Sequence, residues 1–153
     1  MNAAGKTDFV YVTYIRTTPE RLWAALTDPA QMREYWFGMH QDSDFKVGSP
    51  WSLVFADGRI ADTGAVLEAD PPRRLVLQWQ NQFRPELAAE GPARCSIEIE
   101  PQGEAVKLTI VHAIERPNSQ FISAVSQGWP MIVSNLKSLL ETGSVVARQK
   151  FGS

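Results

Sequence analysis

Hydrophobic positions along this chain follow two periods, one near 3.6 residues and one of two, and the changes between them outline the elements. From Ser119 to about Thr142, apolar residues recur at Phe121, Val125, Trp129, Ile132, Leu136 and Leu139. That is one stripe of an α-helix, broadened by Ile122, Val133 and Leu140. Gln120, Ser126, Gln127, Ser134 and Lys137 form the opposite, solvated face. Asn118 or Ser119 can cap its start, and Gly143 can end it in a left-handed conformation. Pro130 removes a backbone donor and crowds the carbonyl of Ser126, so a kink is expected there. A long amphipathic helix of this kind needs a broad concave apolar surface to lie in.

The rest of the chain reads as strands able to supply that surface. Phe9 to Arg16 (FVYVTYIR) is β-branched and aromatic on both faces, a strand with little exposed surface. TTPERLWAAL then forms a short helix with Leu22, Trp23 and Leu26 on its apolar side. Its cap is either Thr17, in capping-box spacing with Glu20, or Thr18 ahead of Pro19. Asp28-Pro29 stops it and starts a second short helix carrying Met32, Tyr35 and Trp36. From His40 the period is two: SDFKVGSPW leads into WSLVF, Asp57-Gly58 marks a hairpin turn, and Arg59 to Ala69 returns to a break at Asp70-Pro71-Pro72. In Arg73 to Phe83, Leu75, Leu77, Trp79 and Phe83 share one face, with Gln78, Gln80 and Gln82 on the other. Arg84 to Pro92 reads as a polar loop or mobile flap. Cys95, Ile97 and Ile99 face one way in the next strand, Glu98 and Glu100 the other. The last strand sets Val106, Leu108, Ile110, His112 and Ile114 against Lys107, Thr109 and Glu115. Met1 to Lys6 and Val145 to Ser153 read as frayed ends. The order predicts α+β with a helix-grip architecture: a curved antiparallel sheet wrapped around one long C-terminal helix, with two short helices after the first strand. It predicts one domain over residues 1–153, with its core at about 9–143.

Composition narrows the partners. A chain of 153 residues, 44% hydrophobic and 21% charged, is an ordinary globular domain. A net charge of −2 offers no footprint for nucleic acid or anionic lipid. No apolar run approaches the ~20 residues that span a bilayer, so membrane insertion is not expected. With no export signal, a cytoplasmic location is expected. Two His and one Cys, widely separated, give no metal-ligand spacing. No Gly-rich phosphate loop or nucleophile elbow is visible, so no cofactor is expected.

A sheet curled round a helix without touching it everywhere leaves a cavity, and such pockets are mostly apolar with a few polar groups. The period-two pattern places Trp79, Phe83, Ile97, Ile110 and His112 on inward faces, joined by Trp51, Leu53 and Phe55. Trp129 and Val133 look inward from the helix, and Trp36, Phe37 and Met39 sit near the mouth. Five Trp suit a site for a flat or greasy ligand, though the same rings would serve to fill a core. His112, on an apolar strand face, needs a buried partner. It could bond a ligand, act as a general base, or be a core histidine bonded to a neighbour. Asp62 can face either way, because the register of its strand is ambiguous. Cys95 reads as an inert small hydrophobe.

Five stretches, TTPERLWAALTDP, SDFKVGSPW, DGRIADTGAVLEADPPRRLVLQW, LTIVH and GWPMIVSNLKSLLETG, together resemble the SRPBCC superfamily of START-related, birch-pollen-allergen-like helix-grip domains. Within it, the chain is most similar to the branch named after the activator of the heat-shock-protein-90 ATPase. The resemblance runs from about Phe9 to Gly143. It implies a domain that binds a small hydrophobic or aromatic ligand between sheet and helix. The superfamily also holds cyclases and regulators, which implies two alternatives. One is a cyclase-, aromatase- or hydrolase-like enzyme using His112; the other is a protein-interaction module. A homodimer is compatible with all three. The eukaryotic activator has a separate chaperone-binding domain for which this chain has no room, so a chaperone partner is not expected.

Overall fold

The computed structural model describes residues 5–149. β1 (Thr7–Ile15) leads into α1 (Pro19–Thr27) and α2 (Pro29–Tyr35). Then come β2 (His40–Asp42), β3 (Pro50–Val54), β4 (Ile60–Asp70) and β5 (Arg74–Asn81). A single helical turn, α3 (Pro85–Ala88), precedes β6 (Ala93–Gln102), β7 (Ala105–Ile114) and the long α4 (Gln120–Thr142). The strands form one curved antiparallel sheet in the order β1-β7-β6-β5-β4-β3-β2. α4 lies against its inner face, giving the α+β helix-grip arrangement that the periodicity predicts.

The reasons are local. β7 alternates without a break, with Val106, Leu108, Ile110, His112 and Ile114 buried and the residues between them partly exposed. Thr18, not Thr17, caps α1, its hydroxyl accepting from the amide of Arg21. Asp28 ends α1 and caps α2 through the amide of Ala30. Ser119 caps α4 through the amide of Ile122, and Gly143 closes it at φ 89°. The helix continues through Pro130 as one element, the bonds on either side carrying it across the missing amide.

Three segments differ from expectation. β1 is an edge strand in a single-layer sheet, so Val10, Val12 and Tyr14 on its outer face are about half exposed rather than covered. The Arg84–Pro92 stretch is not a free flap. Leu87 is buried, and Gln80 Nε2 donates to the carbonyl of Ala88. Glu90 takes the Ser119 hydroxyl and the Gln120 and Phe121 amides, capping α4 from outside the helix. At the other end, residues 145–147 are tied down by the fully buried Asn135. Its Oδ1 accepts from the amides of Val146 and Ala147, and its Nδ2 donates to the carbonyl of Ala147. The predicted frayed residues Met1 to Ala4 and 150–153 lie outside the described residues.

Candidate functional site

Two rows across the sheet build one wall of the site. Trp51 on β3, Gly64 on β4 and Trp79 on β5 stand in register on the inner face. The absence of a side chain at Gly64 lets the two indoles close over it to a centroid distance of 4.4 Å. A Cβ there would stand 1.7 Å from the carbonyl oxygen of Gln78, so the strands themselves require glycine. The next row is Leu53, Asp62 and Asn81. Its register turns Asp62 inward, which settles the orientation the sequence leaves open; Asp62 is only 4% exposed.

α4 supplies the facing wall through Phe121, Val125, Trp129 and Ile132, and α2 delivers Trp36 and Phe37 at its C-terminal end. There the amide of Gly38 bonds the carbonyl of Arg33, and Phe37 is held at φ 54°. Such a backbone is costly for a bulky residue, and it directs an aromatic ring to the mouth. Between the walls is a cavity of about 360 Å³. Trp36, Trp79 and Trp129 cluster at it, with centroids 5.5–6.3 Å apart. Phe83 and Phe55 meet edge-to-face at 5.1 Å on the rim, beside Arg84 and Gln127.

Of the residues expected at the site, Trp36, Phe37, Met39, Phe55, Trp79, Phe83 and Trp129 line this cavity. Phe83 does so from the rim and is 48% exposed, because β5 ends at Asn81 and the alternation ends with it. Trp51, Ile110, His112 and Val133 do not line it. Trp51 is covered by Trp79, its Nε1–H donating to Gln41 Oε1 at 3.0 Å. Ile110 and Val133 are packed into the core. His112 has no exposed surface.

That histidine stands behind Trp79 (5.0 Å), Phe121 (5.2 Å) and Trp129. Its Nδ1 accepts the Trp129 Nε1–H at 3.1 Å, which makes Nε2 the protonated nitrogen of a neutral ring. Nε2 has no hydrogen-bond partner among the described residues. Burial pushes the imidazole down to about 3, so near neutrality the ring is uncharged and supplies no imidazolium acid. Its work is to fix the indole of Trp129 against the cavity.

The buried ionisable group lining the cavity is Asp62. Its Oδ2 accepts the Nε1–H of Trp79. Burial pushes the carboxyl up to about 6, the Trp79 bond pulling in the other direction. Asn81 lies beside it, its Oδ1 accepting from the amide of Arg84. Both were accessible to sequence reasoning in part. Asn81 shares the parity of Leu75, Leu77 and Trp79, and a polar residue in that row was a signal. For Asp62, the register shift between Leu53 and Val54 hides the parity. Among the described residues, no three His, Cys, Asp or Glu side chains gather into a possible metal site.

No curated protein sequence matches the chain. Among solved structures, CalU16 from Micromonospora echinospora is 19% identical with a TM-score of 0.70, over 89% of this chain and 77% of that one. The Aha1 dimer from Colwellia psychrerythraea is 18% identical with a TM-score of 0.73, over 90% and 98%. PFC0360w, an HSP90 activator from Plasmodium falciparum, is 21% identical with a TM-score of 0.70, over 87% and 95%. At these identities the likeness is one of fold. The sequence profile described as activator of Hsp90 ATPase homolog 1-like protein matches residues 16–141, most of the chain. The chain therefore belongs to the activator of Hsp90 ATPase homolog 1-like family, with the SRPBCC helix-grip fold.

Proposed function

We propose that this protein binds a small hydrophobic or aromatic molecule in the cavity between α4 and the sheet. The observation that carries this reading is the space itself. Five Trp and seven Phe could have filled the interior, yet about 360 Å³ is left between aromatic walls and reaches an exposed rim. That volume falls within the range of small-molecule sites, roughly 300–1,000 Å³. The Trp129–His112 bond and the positive φ at Phe37 support it further, since both hold aromatic rings at the edge of an open space.

The test is a fluorescence titration. Trp36, Trp79 and Trp129 report directly on the cavity, so flat aromatic compounds should quench or shift their emission saturably. Ala124→Phe, which fills the space from α4, should abolish the response while leaving the thermal unfolding midpoint near that of the parent. A panel of apolar ligands that leaves the emission unchanged would sink this reading. Catalysis through His112 is not supported by its burial and lowered pKa.

A second reading, self-association, is favoured by Val10, Val12 and Tyr14, exposed in one line on the outer face of an edge strand. Sedimentation velocity should then show a dimer that Val12→Lys dissociates; a monomer at all concentrations excludes it.

A further inference from the structure

We infer that the cavity selects a hydrophobic cation, an aromatic amine or quaternary ammonium compound, with Asp62 as its counter-charge. The inference rests on the binding function proposed above and adds the chemistry of the ligand.

Asp62 is buried at the cavity wall, with one carboxylate oxygen given to the indole N–H of Trp79. None of the ion pairs among the described residues includes it. A buried carboxylate without a cation is expensive to keep ionised, and a matching positive charge in the same low-dielectric space offsets that cost. The surroundings suit such a charge. Trp36, Trp79 and Trp129 are tilted at 33–70° to one another around the space, and indole faces attract ammonium groups. The apolar remainder of the ligand would meet Phe55, Phe121 and Ile132.

The other ionisable side chains around the site do not compete. Arg84, on the rim, is paired with Glu86 at 3.0 Å. His112 is behind Trp79 and neutral. An anionic ligand would face Asp62, while Arg84 and Arg59 on the rim are engaged by Glu86 and Asp57. A neutral one would leave the carboxylate desolvated and unpaired. Burial also raises the Asp62 carboxyl to about 6, so the site is anionic at neutral pH and loses its charge in mild acid.

Phenyltrimethylammonium and its uncharged carbon isostere, tert-butylbenzene, differ in charge and little in shape. Titrated by Trp fluorescence at pH 7.5, the cation should bind at least tenfold more tightly. The preference should collapse by pH 5, as Asp62 takes up a proton, while the isostere binds no more weakly than at pH 7.5. Asp62→Asn keeps an acceptor for the Trp79 N–H and should remove the preference at pH 7.5 without weakening the isostere. Equal binding of the two compounds, or a preference that survives both pH 5 and Asp62→Asn, overturns the inference and leaves the apolar binding function standing. Binding of neither compound overturns both. The pH profile of the unmodified protein decides the question even if the variant folds poorly.

Discussion

Asp62 and His112 are enclosed by the same aromatic wall, and their titrations pull stability in opposite directions. The Asp62 carboxyl is raised from 3.8 to about 6, so its contribution is full below pH 3.8 and is lost as pH rises to about 6. Asp62→Asn should therefore stabilise the protein above pH 6 by about 1–3 kcal/mol and have little effect near pH 4. His112 is lowered from 6.5 to about 3, so the folded state resists a proton that the unfolded chain accepts, and stability falls as pH drops below 6.5. His112→Phe should cost about 1–3 kcal/mol at pH 7.5, because the Trp129 N–H loses its acceptor. That deficit should narrow toward pH 4. Urea denaturation at a series of pH values measures both differences, and a pH-independent deficit for His112→Phe would contradict the assignment of a neutral buried ring.

Among the elements, β4 and the α3 segment carry consequences out of proportion to their composition. Gly64 lets β4 and β5 approach and lets the indoles of Trp51 and Trp79 meet across it. Gly64→Ala drives a methyl into backbone rather than into a movable side chain, and overpacking of this kind costs about 1–3 kcal/mol. It should also shift the Trp emission, since Trp79 cannot keep its place; an unchanged spectrum and midpoint would show that the strands yield. Glu90 lies in a stretch that composition marks as a flap, yet it closes the start of α4. Burial acts to raise its carboxyl, but the Ser119 hydroxyl and the Gln120 and Phe121 amides outweigh it and the net shift is downward. A lowered carboxyl contributes stability above its ordinary value of 4.5, lost as pH falls through the lowered one. Glu90→Gln should accordingly destabilise by about 1–2 kcal/mol at pH 7, in the range of a helix cap, with the difference fading in acid.

At the scale of the whole molecule, residues 146–149 are drawn back toward the rim of the cavity. Asn135 holds residues 146 and 147, and Arg148 and Gln149 reach a shallow concavity shared with Phe37, Met39 and Phe55. Asn135→Ala should release this segment, seen as faster amide exchange over residues 144–149 with β5–β7 still protected; unchanged exchange there would mean that other bonds hold it. Periodicity alone was enough for the longer strands, the two short helices and the long helix, and it narrowed that helix's N-cap to Asn118 or Ser119, because hydrophobic spacing and capping chemistry are properties of neighbours in the chain. The sequence also names most of the cavity's aromatic lining, Trp79 through strand alternation, Trp129 through the helical stripe, and Trp36 and Phe37 through where the second short helix ends. Which aromatics border empty space and which fill the core, that His112 serves Trp129, that Asp62 turns inward past a register shift, and that Glu90 and Asn135 fasten distant segments were decided by tertiary structure. Each depends on residues far apart in sequence meeting across strands or across the helix, and no local pattern records those distances.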